Sequence, residues 1–166
     1  MAYKYCEETT QSQSLYKDNL SCISTLKDIV KREGGGVINQ IAKVVDLDAF
    51  AQSNHPHQTP STMDVAFCVA EHKEYNGKEK IVNGKWCLVE FKYDVKSARS
   101  LKKNDLVEKV SGSKQLIGCD IPFYGKYYIV FSNKELGRNI LNRIFAGNPK
   151  SPYTPFDTTD LLQEFF

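Results

Sequence analysis

One segment narrows the possible folds more than any other: Trp86-Cys87-Leu88-Val89-Glu90-Phe91-Lys92-Tyr93. Its aromatic and aliphatic run reads as a strand that should be substantially buried. It nevertheless carries a carboxylate and an ammonium two positions apart. Side chains alternate along a strand, so Glu90 and Lys92 share a face. Buried charges are costly unless they are paired or neutralised. Either the two side chains form a solvent-facing ion pair on an amphipathic edge strand, or they line a site that a metal ion and a substrate complete.

Asp64 favours the second outcome. It opens another apolar run, Met63 to Ala70, 26 residues before Glu90. If the two strands pair, Asp64 approaches Glu90. Converging carboxylates repel unless a hard cation lies between them, and oxygen ligands of this kind suit Mg2+ or Mn2+. A neighbouring lysine can orient water and stabilise charge on a phosphate. Together these are the parts of metal-assisted phosphodiester hydrolysis.

The rest of the chain supports one α/β unit. Its 166 residues are enough for one domain with its own core. With 41% apolar and 25% charged residues, it is neither collagenous nor a disordered polyelectrolyte. No apolar run approaches the roughly 18 residues of a membrane span. The first residues lack the apolar stretch of a signal peptide, so a cytoplasmic address is expected, or a nuclear one in a eukaryote. Cys6, Cys22, Cys68, Cys87 and Cys119 form no CxxC pair and read as small buried hydrophobes rather than a disulfide or zinc framework.

Apolar spacing predicts a helix over 12–32, stopped by Gly34-Gly35-Gly36, and a short second helix built on Val37, Ile38, Ile41, Val44 and Val45. Residues 46–61 read as a polar loop, with His55 and His57 exposed in it. The strand Met63–Ala70 leads into a polar hairpin over 71–85, with turn dipeptides Asn76-Gly77 and Asn83-Gly84. After the Trp86–Tyr93 strand come a helix over 98–110, a strand over 127–132 and a helix over 134–145. The expected fold class is α/β, a two- or three-layer sandwich with a small mixed sheet flanked by helices.

Asp64, then Glu90-Phe91-Lys92 in an apolar strand, then a helix rich in basic residues, resembles the PD-(D/E)XK nuclease superfamily. The likeness spans Leu15 to Ser132. Composition marks 148–166 as a Pro-rich, acidic-aromatic tail. The likeness implies a restriction-endonuclease-like core, within a domain set at 1–147. It also implies Asp64 and Glu90 as metal ligands, Lys92 as the residue that positions the attacking water, and a Mg2+- or Mn2+-dependent endonuclease acting on nucleic acid, DNA in preference to RNA. Met63 stands where the pattern has proline. Members often add an acid from the first helix, for which Asp18, Asp28 and Glu33 compete, and a basic or amide side chain from the helix after the lysine, for which Lys102, Lys109 and Gln115 are candidates.

Charge is consistent with a polyanionic partner. Residues 73–114 hold eleven Lys/Arg and six Asp/Glu, against a net charge of +2 for the whole chain. Arg99, Lys102, Lys103 and Lys109 are the candidate nucleic-acid contacts, and Tyr124, Tyr127 and Tyr128 could stack on bases. The tail, with Leu161, Leu162 and Phe165 at helical spacing, either folds back onto the domain or docks a protein partner or a second copy of the chain. The competing reading is a catalytically inert scaffold of the same shape that binds nucleic acid or protein. No nucleophile elbow, Walker loop, dinucleotide fingerprint or zincin motif is present.

Overall fold

The computed structural model describes residues 2–166. Seven strands lie in one mixed sheet: β1 (Lys4–Tyr5), β2 (Ile23–Thr25), β3 (Lys43–Asp46), β4 (Val65–Tyr75), β5 (Lys78–Lys92), β6 (Phe123–Phe131) and β7 (Tyr153–Phe156). Their spatial order is β2-β3-β4-β5-β6-β7, with β1 also pairing with β4. The pairings are antiparallel as far as β5, then parallel between β5 and β6 and between β6 and β7. Parallel neighbours need a crossover. α5 (Lys103–Ile117) and α6 (Lys134–Ile144) supply the two crossovers. The remaining helices are α1 (Glu7–Ser12), α2 (Ser14–Asp18), α3 (Leu26–Arg32), α4 (Leu47–Asn54) and α7 (Thr158–Phe165). No helix among the described residues is long and apolar enough to cross a membrane.

The central strands are buried on both faces, which explains their nearly continuous apolar sequence. Ala66, Cys68, Leu88, Ile129 and Phe131 face α5 and α6, packing with Leu106, Val110, Ile140 and Leu141. Val65, Phe67, Val69, Val89, Phe91 and Val130 face α3 and α7, packing with Leu26, Ile29, Val30, Leu161 and Phe165. A mixed sheet flanked by helices on both faces is the expected fold class.

Several boundaries differ from expectation. The helix expected over 12–32 is divided among α2, a 3-10 turn, β2 and α3. Its apolar residues are buried as expected, but Leu15 and Cys22 enter one layer while Leu26, Ile29 and Val30 enter the other. A single amphipathic stripe cannot do that. The break falls at Ile23-Ser24-Thr25, where β-branched residues favour extension, and Thr25 then caps α3 by accepting from the Asp28 N–H. The second helix does not form. Val44 and Val45 are buried in β3, whereas Val37 and Ile41 remain 91% and 66% exposed. Part of the expected loop is α4 instead, because Asp46 caps it through the Ala49 N–H and Leu47, Phe50 and Ala51 are buried.

In the long β4–β5 hairpin only Asn76-Gly77 forms the turn, with positive φ at both residues. Asn83-Gly84 lies inside β5 as an irregularity of the ladder, the two residues standing opposite Ala70 alone, and Asn83 takes a left-handed φ of 56°. The helix expected over 98–110 starts later and runs to Ile117. It passes Gly112 because a Cβ there would lie 2.0 Å from the Ser61 carbonyl oxygen, so only glycine allows this approach. Of the two courses expected for the tail, the structure shows the first, folding back onto the domain: β7 extends the sheet, and α7 buries Leu161 and Phe165 against its far face. All five cysteines are free, and only Cys119 is exposed.

Candidate active site

The β4–β5 register builds the site. Val65 pairs with Val89, and the next step of the ladder sets Asp64 opposite Glu90 on the face covered by α5. Both carboxylates are buried. Asp64 Oδ2 accepts a hydrogen bond from the Phe91 N–H at 2.6 Å. Lys92, on the same face two residues along, places Nζ 2.6 Å from Glu90 Oε1. From α5, Lys109 places Nζ 2.8 Å from the same oxygen and 4.0 Å from Asp64 Oδ1. Glu90 therefore meets two ammonium groups at Oε1, without well-directed hydrogen bonds, while Oε2 is buried with no partner.

A buried hydroxyl fixes the spacing between strand and helix. Ser113 Oγ donates to the Lys109 carbonyl at 2.7 Å and accepts from the Met63 N–H at 2.8 Å. It thus ties the residue before Asp64 to the helical turn that carries Lys109.

The electrostatics follow from this crowding. Burial first, then the charge of Glu90, pushes the Asp64 carboxyl from 3.8 up to about 8, against the opposing pull of the Phe91 N–H and Lys109. Burial works against the Lys109 ammonium, but Glu90 and Asp64 outweigh it and hold its pKa above the ordinary value. Lys92, Lys109, Asp94, Asp105, Ser100 and Leu101 line a cavity of about 170 Å³ beside the cluster. A larger cavity, about 580 Å³, lies between the His55–Pro60 loop and α5, and neither Asp64, Glu90 nor Lys92 lines it.

The structure thus brings together the three residues singled out in the sequence and adds Lys109 as a full member. Of the three helix candidates, Lys109 is the one at the carboxylates. Its signal was helical spacing: Leu106, Val110 and Ser113 are buried on α5, and Lys109 lies along that stripe.

The other candidates are dispersed. Asp18 and Asp28 are exposed, and Asp28 accepts from the Thr25 hydroxyl next to it. Glu33 is the acid whose charge reaches Asp64, helping to raise its pKa, but it pairs with Arg32 at 2.9 Å. Arg32 also pairs with Asp46, which stands beside Val65 in the sheet. Arg99 and Lys102 are exposed and flank the cavity-lining Ser100 and Leu101, whereas Lys103 Nζ lies 5.7 Å from the Phe145 ring. Tyr128 is buried, Tyr124 stacks on it at 6.3 Å, and Tyr127 packs on Tyr153 at 5.4 Å, so these rings belong to the sheet's own packing. His55 and His57 are exposed, and no group of three metal-ligating side chains exists among the described residues.

The chain matches no family model, no curated protein and no solved structure.

Proposed function

We propose that this protein is a divalent-metal-dependent nuclease that hydrolyses phosphodiester bonds in nucleic acid, DNA in preference to RNA. The observation that carries the reading is the convergence of Asp64 and Glu90 on one face of the sheet, with a buried, unpartnered carboxylate oxygen and the Lys92 ammonium at the same point. An orphaned buried oxygen costs about 1–3 kcal/mol or more, so a ligand that satisfies it is favoured. Asp64 and Glu90 would hold Mg2+ or Mn2+, and the bound ion would supply Lewis-acid stabilisation of charge on a phosphate.

The protein's own groups do the remaining work. Glu90 anchors the Lys92 ammonium, which is partly exposed and lines the cavity. From there Lys92 can orient a water molecule and stabilise charge developing on a phosphate oxygen. The Phe91 N–H fixes the Asp64 carboxylate, so its other oxygen keeps its direction. Arg99 and Lys102 are available to a phosphate backbone crossing the mouth of the cavity.

A specific observation favours the second reading, an inert scaffold that only binds. The Lys109 ammonium already stands at the carboxylates, and no third ligand joins them among the described residues. Hydrolysis assays on duplex DNA, single-stranded DNA and RNA separate the two. The nuclease reading expects cleavage that needs Mg2+ or Mn2+ and disappears in Asp64→Ala, Glu90→Ala and Lys92→Ala with circular dichroism unchanged. Absence of cleavage with either ion, or full activity in those variants, refutes it.

A further inference from the structure

We infer that Lys109 is an internal counter-ion that competes with a divalent cation for the Asp64–Glu90 pair, and that Asp105 receives its ammonium when the cation displaces it. The inference rests on the metal-site reading above and concerns how that site is regulated.

Among the described residues Lys109 is the cation that approaches both carboxylates, 2.8 Å from Glu90 and 4.0 Å from Asp64. A divalent ion bound to those oxygens would sit within a few ångströms of this ammonium, where like charges repel strongly in a buried setting. One must yield. Lys92 is anchored on a central strand and meets Glu90 alone. Lys109 is the one that spans the gap. The helix cannot carry it away, because Leu106 and Val110 on either side are packed in the core and Ser113 ties the next turn to Met63. The movement is therefore a change of side-chain rotamer.

The destination is already present. Asp105 lies four residues earlier on α5, the spacing at which an acid and a following lysine attract each other on a helix. Asp105 is exposed, has no ion-pair partner among the described residues, and lines the same 170 Å³ cavity as Lys109. Lys109 thus has two alternative stations reached from one backbone position: the Asp64–Glu90 pair without metal and Asp105 with it. Asp48, whose charge also reaches Lys109, is engaged by the Thr62 hydroxyl.

Calorimetric titration of the purified chain with Mn2+ tests this without relying on catalysis. Lys109→Met keeps the length of the side chain and removes its charge, and should bind Mn2+ about tenfold more tightly or better. Asp105→Asn, an exposed change, should weaken Mn2+ binding several-fold in the wild-type background. In a Lys109→Met background it should do nothing, because no displaced ammonium remains to be received. If Lys109→Met fails to fold, Asp105→Asn and Lys109→Arg, which should retain the weak wild-type affinity, carry the test. Equal or weaker Mn2+ binding by folded Lys109→Met overturns the competition while leaving the metal site standing. Absence of Mn2+ binding in every variant overturns the metal site itself, and the competition with it.

Discussion

Replacing Asp64 by asparagine should make the metal-free protein more stable at high pH while removing its capacity to bind a cation. The substitution preserves volume and an acceptor for the Phe91 N–H, now 2.6 Å away, but removes a charge the fold holds at a cost. Burial and the neighbouring Glu90 raise the Asp64 carboxyl from 3.8 to about 8. The folded-state value lies above the unfolded one, so this group's contribution to stability is fully present below the unfolded pKa. It is lost as pH rises through the folded pKa. At about 1.4 kcal/mol per pK unit, the interval sets a ceiling of about 6 kcal/mol. Rearrangement of Lys109 towards Asp64 would reduce it to about 3 kcal/mol. Asparagine does not titrate, so the stability gap between variant and wild type should grow by about that amount between about pH 4 and about pH 8 and level off above it. In a chain of this size it corresponds to about 6–12 °C in Tm, readable by thermal or urea unfolding in the presence of a chelator. A gap that stays constant across that range, or one that shrinks as pH rises, would refute the electrostatic account of the site.

Other substitutions probe the scaffold. Phe165→Ala removes a fully buried ring packed 5.1 Å from Tyr128 and 5.7 Å from Phe67, and should cost about 3–5 kcal/mol in urea unfolding. Gly137→Ala places a Cβ 2.2 Å from the Phe131 ring, so it should destabilise by about 1–3 kcal/mol despite alanine's better helix propensity. Asp157→Ala breaks the reciprocal cap with Asp160 at the start of α7, and should lower stability by about 1 kcal/mol in the same assay.

The strands that carry the chemistry were legible because burial on both faces leaves a dense apolar signature, and the charges stood out against it. Glu90 and Lys92 could be placed on a strand from residue type alone, and Asp64 falls one residue before β4 rather than within the expected Met63–Ala70 strand. Their meeting could not, because it depends on the β4–β5 register, which is fixed by the turn at Asn76-Gly77 and the irregularity near Asn83. The N-terminal third was harder. Its apolar residues repeat at helical spacing from Leu15 to Val30, yet they serve opposite faces of the sheet. Spacing reports periodicity within one element and carries no information about a chain that changes layers midway. α4 was hidden for a related reason: one turn of buried residues in an otherwise polar stretch is too little for periodicity to register, and its cap, Asp46, also ends a strand.

The hydroxyl of Ser113 gives the candidate site an unusual dependence. One oxygen atom, with one donor and one acceptor bond, joins the residue before Asp64 directly to the helix that bears Lys109, beside the apolar packing of Leu106 and Val110. The gap is therefore held by a neutral contact as well as by the charged groups that face each other across it. An engineer who wished to change the width of the opening could therefore begin with this one serine and leave the acids in place.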